Sequence, residues 1–258
     1  MSAVDPVRLA ALLGPATRWT RLETVAQTGS TNDDVLARAE AGEPEGLVLV
    51  AAHQTGGHGR FDRVWLDEPG AGVALSVLLR PSRPLAGWGW LPLLTGMAVV
   101  RGLREACPVL DGRLGLKWPN DVLVDGAKCC GILAASDLRA AVVGIGINLA
   151  QTADQLPAGA TSLAMAGAQA GVTAVVAAVL AQLDALVARW EAGESLRGEY
   201  RDVSDTLGRD VRVQISARTG VEGRAVDIAE DGALVVELPD GSERSFAAGD
   251  VVHLRPQA

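Results

Sequence analysis

Long apolar runs, with no polar alternation, mark the strands of this chain. Residues 46–52 (G-L-V-L-V-A-A) read as a strand buried on both faces, 72–80 (G-V-A-L-S-V-L-L-R) as another strand, and 141–149 (A-V-V-G-I-G-I-N-L) as a strand whose two glycines permit close approach by a ligand. Residues 19–27 alternate loosely and predict a further strand. Helical spacing of Leu91, Leu94, Met97, Ala98 and Leu103 predicts a long packing helix over 88–106. The most apolar long segment, 172–190, is interrupted by Gln182, Asp184 and Arg189, so it predicts a buried helix, over about 172–191, and not a membrane span. Shorter helices are expected at 7–13, ended by Gly14-Pro15, and at 195–200. Ser30 or Thr31 can cap a helix running to about residue 41, with Asp33 and Asp34 favouring its dipole and Gly42 and Pro44 ending it. Residues 151–170 read as loop.

Residues 114–136 predict three short strands. Pro119 stops the run 114–118 from continuing as a helix, 122–124 is β-branched, and Asp125-Gly126 is a hairpin signal before the return run 129–135. Lys128 then starts the return strand and is expected close to Lys117. Two cations at adjacent strand ends suit a bound phosphate or carboxylate. The residues alone leave a second reading open, in which Lys128 is a solvated edge lysine and Lys117 pairs with Asp121. The strand 46–52 empties into H-Q-T-G-G-H-G-R-F-D-R-V-W, a glycine-rich loop whose N–H groups, Arg60 and Arg63 suit phosphate oxygens. It is neither a P-loop nor a dinucleotide-binding turn. Ser30, Thr31 and Asn32 likewise remain open between capping alone and a binding role.

Near residue 204 the texture changes. Five short β runs, at 210–215, 221–229, 233–238, 243–247 and 251–254, are separated by turn signals and predict a small barrel. The division is therefore 1–204 and 205–258. The first part lacks strict βαβ alternation, so α+β is the expected class.

Composition narrows the function. With 258 residues, 48% hydrophobic and 21% charged, the chain can bury a sizeable core, and at 3% aromatic its Ala, Val and Leu must fill it. A net charge of −8 argues against a generic nucleic-acid binder, though a local cation cluster still admits a nucleotide. Three cysteines, with Cys129 and Cys130 adjacent, form no disulfide framework and suggest a reducing cytoplasm. His53 and His58 make a poor metal pair, and His253 is the only other histidine. No basic segment with a hydrophobic signal core opens the chain.

Four stretches together resemble the biotin protein ligases: G-S-T-N-D at 29–33, the loop at 53–65, L-K-W-P-N-D-V…K-C-C-G-I-L at 116–133, and G-I-G-I-N-L at 144–149. The ending G-D-V-V-H-L-R matches the family's last domain. The resemblance implies a mixed-sheet catalytic domain related to class II aminoacyl-tRNA synthetases, followed by an SH3-like β-barrel. It implies that biotin and ATP, with magnesium, give biotinyl-5′-AMP, and that a lysine of a biotin carboxyl carrier domain of biotin-dependent carboxylases takes the biotinyl group. Lys128 would then touch the biotin carboxylate and α-phosphate, with Gly131 nearby, while Arg60 and Arg63 hold phosphate oxygens. Ser30, Thr31, Asn32 and Gln54 would face the ureido group, with Gly57 and His58 alongside. Trp65 would pack near adenine, with Asn120 and Asn148 at the nucleotide end. Lys117 and Asp121 would complete the phosphate surroundings; the magnesium ligands are not assigned.

The loop departs from the family's usual G-R-G-R-x-G-R, with His58 replacing an Arg and Asp62 a Gly. Two charge units of about 1 kcal/mol each predict weaker holding of ATP or the adenylate. An inactive homologue, a lipoate or octanoate ligase of related fold, and a non-catalytic biotin or nucleotide sensor are the rivals. Too little chain precedes the first strand for a helix-turn-helix module, so no specific operator binding is expected, and no membrane association.

Overall fold

A computed structural model describes residues 3–66, 68–215 and 219–254. A seven-stranded sheet comprises β1 (Arg21–Val25), β2 (Leu47–Ala51), β3 (Gly72–Leu79), β4 (Leu114–Lys117), β5 (Asp121–Val124), β6 (Ala127–Ser136) and β7 (Ala141–Asn148). Its order is β1-β2-β3-β7-β6-β5-β4. Only β1 and β2 run parallel; every other neighbouring pair is antiparallel, which makes the sheet mixed and the class α+β.

Register divides the sheet into two unlike faces. Ala74 pairs with Gly146 and Ser76 with Gly144 across β3–β7, while Gly131 pairs with Gly146 and Leu133 with Gly144 across β6–β7. Because side chains alternate, these mostly small residues share one face. Toward one edge, that face is covered by α2 (Thr31–Glu40) over Leu47, Leu49, Leu78 and Val142. The opposite face carries Val73, Leu75, Val77, Val143, Ile145 and Ile147 into the main core. There α3 (Trp90–Ala106) packs on the sheet and α4 (Val172–Glu191) on α3, with α1 (Pro6–Leu13) against α4. Burial of Val175, Val179, Leu183, Leu186 and Val187 along α4 shows it to be a core helix, despite a length and hydropathy that could span a bilayer.

The run α5 (Arg197–Val203) leads into a second sheet of β8 (Asp210–Gln214), β9 (Gly220–Ile228), β10 (Leu234–Glu237), β11 (Glu243–Phe246) and β12 (Asp250–His253). The ladder order is β11-β10-β9-β8-β12, all antiparallel, so the expected five strands are present with β11 and β12 at the edges. This sheet is anchored to the first. Trp118 is 2% exposed; its N–H donates to Thr206 Oγ1 at 3.0 Å and its indole N–H to Gly232 O at 3.2 Å. The Trp90 indole donates to Glu230 O at 2.9 Å.

Candidate active site

The small-residue face, where α2 leaves it uncovered, forms the floor of a cleft enclosing about 290 Å³. Ser30, Thr31, Asn32 and Gln54 line one end; Arg60, Arg63, Trp65, Asn120, Asp121, Lys128 and Asn148 line the rest. Leu156, Pro157 and Ala160 close one side, held because the Lys128 N–H donates to Gly159 O at 2.8 Å.

Lys128 reaches this cleft through an irregularity. Regular β6 would put Lys128 and Gly131, three residues apart, on opposite faces. The β5–β6 register slips by one residue between Val122 and Leu123, so Leu123 opposes Lys128 while Asp121 opposes Gly131. Such a β-bulge reverses the parity beyond it. Lys128 therefore joins Gly131 on the cleft face, where its Nζ lies 2.6 Å from Asp121 Oδ1 and 5.6 Å from the Trp65 ring centroid.

Lys117 is the register partner of Asp121, the residue that pairs with Lys128. Lys117 does not line the cleft. Lys117 ends β4, the outermost strand, and its charge instead acts on His253 of the second sheet.

Ser30 does cap α2, its Oγ accepting the Asp33 N–H at 3.3 Å, and it also borders the cleft, so capping and lining coexist. Thr31 meets Gln54 twice: its N–H donates to Oε1 at 2.8 Å, and its Oγ1 lies 3.0 Å from the same atom. Gly57 underlies this end, with no room for a Cβ beside Gln54 Nε2 at 2.9 Å. His58 sits at the rim, Nε2 3.5 Å from Asp33 Oδ1. Asn120 Nδ2 donates to Ile132 O at 2.8 Å and Asn148 Nδ2 to Thr161 O at 3.0 Å, so both carboxamides are braced by backbone.

The glycines of β7 do admit a close approach, by the protein's own side chains. A Cβ on Gly146 would lie 2.6 Å from the Trp65 ring, and one on Gly144 2.3 Å from Asn32 Oδ1. Trp65 thus lies on the floor beside Lys128.

The loop folds as a tight turn: the Trp65 N–H donates to Gly57 O at 2.9 Å and the Gly59 N–H to Arg63 O at 2.7 Å. Phe61, at φ 56°, takes the left-handed conformation in this turn. The side chain of Asp62 lies outside the described residues. Arg60 Nη1 donates to Gly249 O at 2.9 Å, and Arg63 makes an ion pair with Asp250, a cleft residue from the second sheet. Burial pushes the Arg60 guanidinium below its ordinary value, opposed by Asp250 and Asp121 and aided by Arg63; the bond to Asp250 raises that of Arg63. Burial pushes the Cys129 thiol up to about 12, which leaves it a poor nucleophile.

Three features around the cleft were not singled out from the sequence. Asp250 read only as a turn residue, and 156–160 only as loop. Ser76, fully buried under Thr31 and Asn32, carried one signal, a lone hydroxyl in an apolar strand. No group of three or more His, Cys, Asp or Glu poised to hold a metal occurs among the described residues.

An α+β sheet with a cleft that joins a hydrogen-bonding pocket to a lysine and two loop arginines defines an anion-handling acid-activating site. Residues 25–151 match the Biotin/lipoate A/B protein ligase family, and residues 206–254 match the Biotin protein ligase C terminal domain. The chain is 41% identical to the biotin–[acetyl-CoA-carboxylase] ligase of Mycobacterium tuberculosis, over 95% of this chain and 93% of that one. It is 32% identical to the bifunctional ligase/repressor BirA of Bacillus subtilis, over 85% of this chain and 70% of that one. The Aquifex aeolicus biotin protein ligase, solved in complex with biotin and ATP, superposes with a TM-score of 0.77 at 26% identity, over 92% of this chain and 99% of that one. The chain belongs to the biotin protein ligase family.

Proposed function

We propose that this protein condenses biotin with ATP to biotinyl-5′-AMP and then biotinylates a lysine of a biotin carboxyl carrier domain. A biotin carboxylate oxygen attacks the α-phosphorus and pyrophosphate leaves. The carrier lysine amine then attacks the acyl carbon, AMP leaves, and the amine gives up a proton. The observation that carries this reading is the position of Lys128. It lines one cleft together with Ser30, Thr31 and Gln54, suited to a ureido ring, and with Arg60 and Arg63 of the loop, suited to phosphates.

Both steps bring anions together or release one, so fixed cations lower the barrier chiefly by charge neutralisation. Asp121 holds Lys128 in place until the anionic ligand arrives. Trp65, flat on the floor beside Lys128, offers a face to adenine. Magnesium would arrive with ATP, keeping its waters and phosphate ligands and needing only one or two protein oxygens, which the cleft carboxylate Asp121 would offer. The C-terminal match and the polar pocket favour biotin over lipoate or octanoate.

The test is mass detection of the acyl-adenylate with ATP and magnesium, offering biotin, lipoate and octanoate separately. Biotinyl-adenylate alone is expected, and Lys128→Ala should lower its rate about 10²–10³-fold. Lipoyl- or octanoyl-adenylate would reassign the substrate; no adenylate from any acid would favour a sensor or an inactive homologue.

A further inference from the structure

Ser76 is fully buried in the middle of β3 and has no part in the reaction as written above. Its Oγ lies 2.7 Å from Thr31 Oγ1 and 2.7 Å from Asn32 Oδ1. Thr31 Oγ1 lies in turn 3.0 Å from Gln54 Oε1. The backbone fixes both amides. Asn32 Nδ2 donates to Leu133 O at 3.0 Å, and Gln54 Oε1 accepts the Thr31 N–H at 2.8 Å. Turning either amide over would set N–H against N–H or oxygen against oxygen.

Four side-chain oxygens therefore stand in a row, Asn32–Ser76–Thr31–Gln54, with three contacts between them. Amide oxygens bring no protons and each hydroxyl brings one. Two protons must serve three contacts, so one contact has none. Two oxygens held at 2.7 Å without a proton repel strongly, and the vacancy falls on the longest contact, Thr31–Gln54. Ser76 then donates to Asn32 Oδ1, and Thr31 donates to Ser76. Thr31 Oγ1 and Gln54 Oε1, both on cleft-lining residues, are left as acceptors with no proton between them.

We infer that Ser76 is a specificity-setting positioning residue: by drawing the Thr31 proton away from the cleft, it makes Thr31 and Gln54 an acceptor pair that selects a ligand carrying an N–H. This deepens the biotin reading and rests on it. A ureido ring brings two N–H donors, whereas a dithiolane or a plain acyl chain brings none. A ligand oxygen placed there would add a further acceptor to a row already short of protons, an unpaired arrangement that binding sites reject strongly.

The test compares adenylate formation from biotin with that from the cyclic carbamate analogues in which one or the other ureido N–H is replaced by oxygen. For wild type, at least one analogue should fall about 100-fold or more below biotin in kcat/KM. In Ser76→Ala, Thr31 turns its proton to Gln54. Discrimination should then drop to about tenfold or less, through a raised biotin KM, with kcat and the ATP KM within about twofold of wild type. Ser76→Thr keeps the hydroxyl and should restore discrimination. Ser76→Cys fills the same place with a weak donor and should show the same collapse if the alanine variant does not fold. The inference is overturned if Ser76→Ala keeps the wild-type ratio, or if it loses both ligands equally through kcat. No adenylate from wild type with any acid would instead overturn the ligase reading beneath it.

Discussion

At the scale of single residues, the cleft is shaped by absent side chains as much as by present ones. Gly146 leaves space for the Trp65 ring and Gly144 for the Asn32 carboxamide. Gly146→Ala would put a methyl 2.6 Å from the indole. Overpacking of this kind costs about 1–3 kcal/mol. The variant should therefore fold, shift the tryptophan fluorescence, and show a raised ATP KM in an adenylation assay; an unchanged KM would remove Trp65 from the nucleotide site. The exchange of family Arg and Gly for His58 and Asp62 is testable alone. Restoring His58→Arg with Asp62→Gly should lower the apparent ATP constant or slow leakage of the adenylate.

The elements carry a second kind of control, because the loop 57–66 is held by the other sheet. Arg60 reaches Gly249 O, and Arg63 pairs with Asp250 at the start of β12. Asp250 is an anion facing the same cations that the phosphates would use. Removing its charge in Asp250→Asn should lower the ATP KM severalfold, since one unit charge near a surface is worth about 1 kcal/mol or more. Steady-state kinetics at fixed biotin measure it; a raised KM would show Asp250 to be a positioning group for Arg63. At the far end of β12, burial first, then Lys117, holds His253 below its ordinary value, with Asp205 opposing. The folded chain thus favours neutral His253. Below the unfolded value near 6.5 the unfolded state binds the extra proton, so this stability is present above that pH and is lost on acidification. Thermal melts from pH 7.5 to 5 should show a decline that His253→Gln reduces.

Across the whole molecule, a few interactions lock the helices and the two sheets together. Glu199 on α5 joins Arg101 on α3 and Arg189 on α4, and its bonds to Arg189 and then Arg101 hold its carboxyl down to about 2. Its contribution is present above the ordinary carboxylate value and fades as pH falls toward about 2. The group is partly exposed, so Glu199→Gln should cost no more than about 1 kcal/mol at pH 7, and less on acidification. Trp118 bears more of the load between the sheets. Trp118→Ala should cost about 3–5 kcal/mol in urea unfolding, from lost burial and the lost indole anchor to Gly232 O.

Much of this was legible in local pattern. Apolar runs, helical spacing and turn signals located the strands of the cleft, the helices α3 and α4 and the five strands of the second sheet, because these depend on side-chain period over short windows. The motifs also named most of the cleft: Ser30, Thr31, Gln54, Arg60, Arg63, Trp65 and Lys128 all line it. What only the tertiary structure decided was parity and pairing. A one-residue bulge turns Lys128 to the cleft face, and no local pattern marks which residue slips. The same register leaves Lys117 on the outer strand and gives Asp121 to Lys128. Asp250 meets Arg63 across 187 residues of chain, a contact set by how the two sheets dock. Ser76 gains its partners only when β3 lies beneath the first turn of α2, because a buried hydroxyl's role depends on which acceptors the fold places beside it.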